Sequence, residues 1–405
     1  MRLESIQLEN FRAKENVSLE FGHRLTLFIG ANGSGKTSVL DAIAIGLGAV
    51  LTHLPEISGR SFRKNGDIRQ SDNQLAPYAR IALATTSGLK WDKIKRRDKS
   101  RATSQLVPIC YGVRELERFL DKEILDPLNA GSDFLLPLFV YYGVSRALLE
   151  PPSSRKGFPK THRRFAALEN VLNADSRFKS AFIWFYNKEN EENRLQKEQR
   201  DFDVTLKELD AVRYAISSMF PDISEPHIEL NPWRFMVKQH DELLNIEQLS
   251  DGYKTLLGLV IDLSSRMAMA NPHLDDPLAA EAIVMIDEID LHLHPSWQQR
   301  VVGDLLKTFK NTQFIVTTHS PYIVEAINNY LKRNQIEGFL TKTDDLIGLQ
   351  SLCADKISAY LMAEEGEQSL MSSEFKLLDD KLLENFNALN MLYDQMRDIE
   401  WENKS

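Results

Sequence analysis

The sequence predicts a mixed α/β fold: a head of strands around a phosphate-binding loop, interrupted by an inserted, mainly helical segment and followed by a helical C-terminal tail. Three observations predict it. The apolar run Arg24-Leu25-Thr26-Leu27-Phe28-Ile29 leads straight into the glycine-rich stretch Gly30 to Thr37 and then into a helix-forming segment up to Gly48. A second apolar run, Ala282 to Ile286, ends in Asp287-Glu288. A third, from Phe314 to Val316, ends in Thr317-Thr318-His319-Ser320. Continuous apolar runs of this length suit strands covered on both faces, as in a parallel sheet.

In chain order, residues 1–150 read as the first part of the head. Residues 3–30 alternate and then run apolar, which gives two or three short strands before the loop. From Tyr78 to Arg101 an apolar run, a Ser87-Gly88 turn and a charged stretch predict a β-hairpin at the edge of the head. Leu135 to Gly143 reads as another buried strand. Residues 151–245 form the insert. It opens with an exposed connection rich in Pro, Ser, Lys and Arg, from Pro151 to Phe165, and continues as helix over 166–220. There Leu195, Phe202, Leu206, Leu209 and Val212 recur at helical spacings in a charged background, so a lid or short helical hairpin is expected. A long coiled coil needs many more heptads than this. Strands follow at His227 to Leu230 and Trp233 to Lys238. Residues 246–343 supply the second part of the head, and 344–405 an acidic helical tail suited to docking a partner.

Composition narrows the function. With 405 residues and 43% hydrophobic content the chain can bury a large core, and no apolar run is long enough to cross a bilayer. The N-terminus lacks the basic-then-apolar order of a signal peptide, so a cytoplasmic protein is expected. Cys110 and Cys353 have no Cys or His at ligand spacing and read as free thiols in the core. The net charge of −9 excludes a surface that attracts polyanions everywhere, while leaving room for local basic patches.

The chemistry lies in four places. Gly30 to Thr37 fits G-x-x-x-x-G-K-[ST] at every fixed position. Gly30, Asn32, Gly33, Ser34 and Gly35 let backbone amides turn inward on phosphates, with Ser38 following in the helix. Lys36 offers a point charge to the β- and γ-phosphates and the Thr37 hydroxyl a ligand for Mg2+. Asp287 at the end of its strand is placed to hold the magnesium of MgATP, and Glu288 to orient or deprotonate the attacking water. His319, at the tip of the third strand, can meet the γ-phosphate. Leu249-Ser250-Asp251-Gly252-Tyr253-Lys254 precedes a helix expected from about Thr255. Ser250 reads as its N-cap. His292 and His294 form an H-x-H pair, but no further metal ligand follows.

These four elements, in this order, resemble the ABC/SMC-like ATPases, meaning the SMC, RecF and overcoming-lysogenization-defect groups. The stretch Asp287 to Pro295 looks like the D-loop of AAA-labelled ABC ATPases of defence and repair systems, and Asn10-Phe11-Arg12 is similar to their first strand. The resemblance covers residues 1–50 and 245–330 most closely. It implies an ATPase in which Glu288 and His319 are catalytic, and in which Ser250 and Gly252 act on ATP held by the opposite copy of a homodimer or larger oligomer. The signature departs from L-S-G-G-Q, with Asp251 at the first glycine and Tyr253 at the glutamine. Residues 344–405 lack the clustered carboxylates of the nuclease domain found in the overcoming-lysogenization-defect family. The chain therefore looks like the ATPase subunits of two-gene antiphage systems, the PtuA type of Septu and those of retrons, whose effector is a separate protein such as an HNH-type nuclease. A RecF-like DNA-repair ATPase is the alternative. From Lys90 to Arg101 seven basic residues stand against two acidic ones, and five more basic residues lie between Arg155 and Arg164. Nucleic-acid contact is expected through Lys93, Lys95, Arg96 and Arg97.

Overall fold

The computed structural model describes residues 1–71, 74–144, 163–173, 179–340, 349–363, 366–372 and 374–379. Strand β1 (Leu3–Phe11) buries Leu3, Ile6, Leu8 and Phe11; the alternation of a half-buried strand holds from Ile6 to Leu8 and is broken by a register irregularity between Leu3 and Ser5 and by the positive φ of Asn10. It pairs antiparallel with β2 (Lys14–Glu20) on one side and β4 (Tyr78–Thr85) on the other, and β4 continues to the edge strand β5 (Lys90–Arg96). The expected hairpin is therefore present at a sheet edge.

The second layer is a parallel sheet. Strands β3 (Leu25–Ile29), β6 (Leu138–Tyr142), β10 (Ala282–Ile286) and β11 (Thr312–Thr318) are buried along their whole length and lie in the order β3-β11-β10-β6. Their register brings Ile29 opposite Thr318, and Ile286 opposite both Val316 and Tyr142. All four C-terminal ends thus reach one edge, where ligands bind in open α/β sheets. Helix α1 (Lys36–His53) lies between the two sheets, buried from Val39 to Leu51, which is why it is apolar on every side. Trp91 of β5 donates its indole N–H to the Gly46 carbonyl at 3.0 Å, and the buried amide of Gln313 joins the layers by bonding both backbone groups of Leu3.

The insert is packed onto the head. Helices α2 (Lys179–Gln199) and α3 (Lys207–Met219) bury Phe182, Trp184, Phe185, Leu209, Val212 and Ile216 in the common core, with α3 against helices α4 (Asp251–Ala270) and α5 (Val301–Thr308). Phe202, in the turn between α2 and α3, is 84% exposed and lies outside the helical stripe. Strands β7 (Ile223–Glu229), β8 (Arg234–Gln239) and β9 (Glu242–Asn245) make a small antiparallel sheet. Helix α4 begins at Asp251, four residues before the expected start, because Ser250 already has the extended backbone of an N-cap.

Two expectations fail in the described residues. The segment after 349 is not α-helical: after one 3₁₀ turn at Ala354–Lys356, β12 (Ile357–Ala363) pairs in parallel with β3, and β13 (Gly366–Ser369) folds back on it. Strand β3 has a second edge of backbone N–H and C=O groups that must be paired, and a seven-residue run satisfies them where it is too short to show a helical period. The remainder of the expected tail, 380–405, lies outside the described residues, as do residues 151–162 of the expected connection. Cys110 is exposed and Cys353 half-buried, so the thiols are free but do not sit in the core.

Candidate nucleotide site

The shared edge of β3, β11 and β10 brings most of the singled-out residues together. After β3 the chain passes through Gly30, Gly33 and Gly35, all with positive φ, and enters α1 at Lys36. A Cβ on Gly30 would stand 2.4 Å from the Met362 carbonyl oxygen of β12, so only glycine fits. In the loop the buried Ser34 hydroxyl has no hydrogen-bond partner among the described residues. The Lys36 ammonium bends back onto the Gly30 and Ala31 carbonyls at 2.7 and 2.9 Å. Burial pulls its pKa below the ordinary lysine range, against the opposing pull of Glu288, Asp287 and Asp290. An anion in the loop would satisfy both Ser34 and Lys36. Asn32 is exposed at the tip, and Ser38, one turn into α1, accepts a long bond of 3.4 Å from Arg12.

Asp287 is 1% exposed, and each of its carboxylate oxygens accepts one hydroxyl. Thr37 donates to one at 2.8 Å and Thr317 to the other at 2.6 Å. The Thr317 oxygen in turn accepts the Glu288 N–H at 2.7 Å. A single hydroxyl thus fixes two successive acidic residues, as its one donor and two lone pairs allow. Glu288 has φ of 47°, a left-handed conformation unusual for a non-glycine residue, and this turns its backbone away from the strand direction. His319 at the end of β11 is half-exposed, and its Nε2 lies 3.4 Å from Oδ2 of the buried Asp290, whose Oδ1 accepts the Thr318 hydroxyl at 2.5 Å. Thr317 and Asp290 were within the quoted strand and D-loop stretches, yet no spacing rule marks a hydroxyl or a third carboxylate as a brace.

Ser250 and Gly252 lie elsewhere. Among the described residues no hydrogen bond joins either to the phosphate loop. They line a separate groove of about 810 Å3 with Tyr253, His292, His294 and Trp297. Gly252 is required by close approach, since its Cβ would be 2.5 Å from the His292 carbonyl oxygen. Asp251 is paired with Lys254 at 3.0 Å, and that ammonium holds its carboxyl below the usual carboxylate range. The Tyr253 hydroxyl donates to Asp222 at 3.0 Å, and its ring packs on Phe220 and Trp297. His294 caps a short helix by accepting from the Ser296 N–H, which explains half of the H-x-H pair without a metal. No group of three or more His, Cys, Asp or Glu suited to a metal occurs among the described residues.

The basic strand is less open than its composition suggests. Lys93 donates to the Arg60 carbonyl at 3.1 Å, Lys95 to those of Arg63 and Lys64, and Arg97 to that of Leu75 at 2.9 Å. Arg96 points to Ser104 at 3.3 Å. Period-two alternation places Lys93 and Lys95 on one face of β5 under the 60–64 loop and Arg96 on the other. Lys95 and Arg97 help line a groove of about 740 Å3 with Arg12, Arg63 and Lys64. Of the second basic stretch, Arg164 is a brace, bonded to the Ala270 and Phe134 carbonyls at 2.8 and 2.6 Å, and is not a free cation.

No helix among the described residues is long and apolar enough to cross a membrane. Residues 5–257 match the family model described as "AAA domain". The chain is 30% identical to the Retron Ec83 probable ATPase of Escherichia coli over 81% of its own length and 70% of that protein. It is 25% identical to the Retron Vc95 probable ATPase of Vibrio cholerae serotype O1 biovar El Tor, over 81% and 72%. To the Septu protein PtuA of Bacillus mycoides it is 25% identical over 94% of this chain, which spans half the length of that protein. Among solved structures it is similar to an Smc head bound to the C-winged helix domain of ScpA, at 17% identity over 91% of this chain and 97% of that one, with a TM-score of 0.46, too low to bear an argument. With the family model covering more than half of its length and the Ec83 relative most of it, the chain belongs to the AAA-domain family of ATPases, alongside the retron ATPases.

Proposed function

We propose that the chain is an ATP-hydrolysing switch that works as a face-to-face pair in the cytoplasm and governs a separate effector, an HNH-type nuclease, in antiphage defence. One observation carries this reading. The phosphate loop, Asp287, Glu288 and His319 share one sheet edge, while Ser250 and Gly252 stand on another groove with no hydrogen bond to it among the described residues. Two copies, each offering both surfaces, complete two sites. The retron and Septu relatives support the defence setting.

In this reading the loop from Gly30 to Gly35 and Ser38 hold the phosphates, with Lys36 on the β- and γ-groups. The Thr37 hydroxyl and the Asp287 carboxylate, 2.8 Å apart, would hold Mg2+ between them, Asp287 through water. Mg2+ held there would neutralise charge on the phosphate oxygens. Glu288 takes the proton of the attacking water, and Thr317 keeps its backbone in place. His319 contacts the γ-phosphate with Asp290 behind it. Ser250 and the N-terminus of α4 meet the γ-phosphate held by the other copy.

Phosphate release tests the hydrolytic part. Glu288→Gln is expected to bind MgATP like the wild type and to release phosphate about a thousandfold more slowly. An unchanged rate would remove Glu288 from this role. A wild type that binds ATP without turnover would make ATP a structural ligand.

A second reading, the RecF-like DNA-repair ATPase, is favoured by the groove of Arg12, Arg63, Lys64, Lys95 and Arg97, although Arg12 and Arg63 are paired with Asp41 and Arg97 with Asp98 behind it. It predicts DNA-stimulated phosphate release that Lys95→Glu with Arg97→Glu abolishes. The switch reading predicts no such stimulation.

A further inference from the structure

The phosphate loop has a neighbour that its motif does not contain. Lys14, the first residue of β2, lays its side chain over the turn into α1. A Cβ on Gly35 would meet Lys14 Cε at 2.9 Å and Nζ at 3.5 Å. The stem is largely covered, with only 11% of the side chain exposed, and the ammonium stands 2.5 Å from Oε1 of Glu367 in β13. That oxygen is buried and makes no aligned hydrogen bond, so the pair is held by charge and proximity rather than by a directed bond. The same strand pair also supplies the Met362 carbonyl against Gly30, and Tyr360 of β12 bonds both backbone groups of Glu20 in β2. The loop is therefore walled by β2 on one side and by β12 and β13 on the other, with one cation and one carboxylate meeting above Gly35.

We propose that Lys14 is a further phosphate-binding residue of this site and that Glu367 competes with the phosphates for its ammonium, so that β13 responds to nucleotide occupancy. This rests on the reading of Gly30 to Thr37 as the ATP site. An anion at the N-terminus of α1 would lie beside the turn that Lys14 covers and would offer the ammonium a second set of oxygens besides those of Glu367. Filling the loop draws Lys14 from Glu367 and leaves a carboxylate on β13 to find water or another cation.

The test is MgATP binding by the full chain, measured by calorimetry with four proteins: wild type, Lys14→Met, Glu367→Gln and the double variant. Methionine keeps the stem against Gly35 and removes the charge. The double variant removes the effect of an uncompensated Glu367. Glu367→Gln is expected to bind about threefold tighter than wild type, and the double variant about tenfold weaker than Glu367→Gln alone. Equal affinity of the double variant and Glu367→Gln would overturn Lys14 as a ligand. Weaker binding by Glu367→Gln would overturn the competition. Absence of MgATP binding by the wild type would instead overturn the ATP-site reading itself. A Lys36→Ala control that binds as the wild type does would also overturn it.

Discussion

The two grooves that the sequence motifs build differ in how far the chain completes them. At the strand edge the carboxylates are held internally: Thr37 and Thr317 hold the Asp287 oxygens, Thr317 holds the Glu288 amide, and Thr318 holds Asp290. At the head of α4 the groups face outward. Ser250 is exposed and caps nothing, and Asp251 bonds only its helical neighbour Lys254. A buried hydrogen-bonded cluster holds geometry, whereas an exposed helix start leaves its first N–H groups to water or to a ligand. The grooves are nevertheless joined. The His292 carbonyl packs on Gly252, while Gln298 bonds the Leu293 carbonyl at 2.8 Å and accepts the Ser320 hydroxyl just past His319 at 2.5 Å. A change at either groove has a short covalent and hydrogen-bonded route to the other.

That contrast is broken most forcefully at the edge. Lys36→Ala removes the motif lysine of the loop and is expected to weaken MgATP binding more than about a hundredfold by calorimetry, with the fold intact by circular dichroism. Thr317→Val is expected to cost about 2 kcal/mol of stability in denaturant unfolding, because it leaves both the buried Asp287 oxygen and the Glu288 N–H unpaired. Phosphate release should fall with it. At the other groove Gly252→Ala pushes a methyl into the His292 carbonyl, and a cost of roughly 1–3 kcal/mol is expected together with loss of ATP-driven pairing, while MgATP binding to the single chain persists. Tyr253→Phe removes only a hydroxyl bonded to Asp222 and should cost about 1 kcal/mol without affecting binding. If Gly252→Ala abolished binding by the single chain, the two grooves would not be separable as described.

Much of the strand edge was legible because its strands are wholly buried and apolar and each ends abruptly in polar residues, so a run and its terminus could be read without knowing the partners. The order of motifs located the outward groove too. Contacts made by carbonyls and by distant segments were not legible. Nothing in the composition of Lys90 to Arg101 shows that Lys93 and Lys95 are tied to the 60–64 loop. Nothing local tells that Ile357 to Ala363 is a strand, since seven residues of mixed burial suit either state until β3 offers its edge. The glycine at 252 was placed by resemblance. Its physical reason, the His292 carbonyl, is visible only in three dimensions.

In the proposed pair each copy carries half of each site. This is tested most directly by the solution mass of the Glu288→Gln chain with and without MgATP. The account predicts a single-chain mass without nucleotide and at least twice that mass with it, a shift that Gly252→Ala in the same background prevents. A mass that does not change when MgATP is demonstrably bound would contradict it.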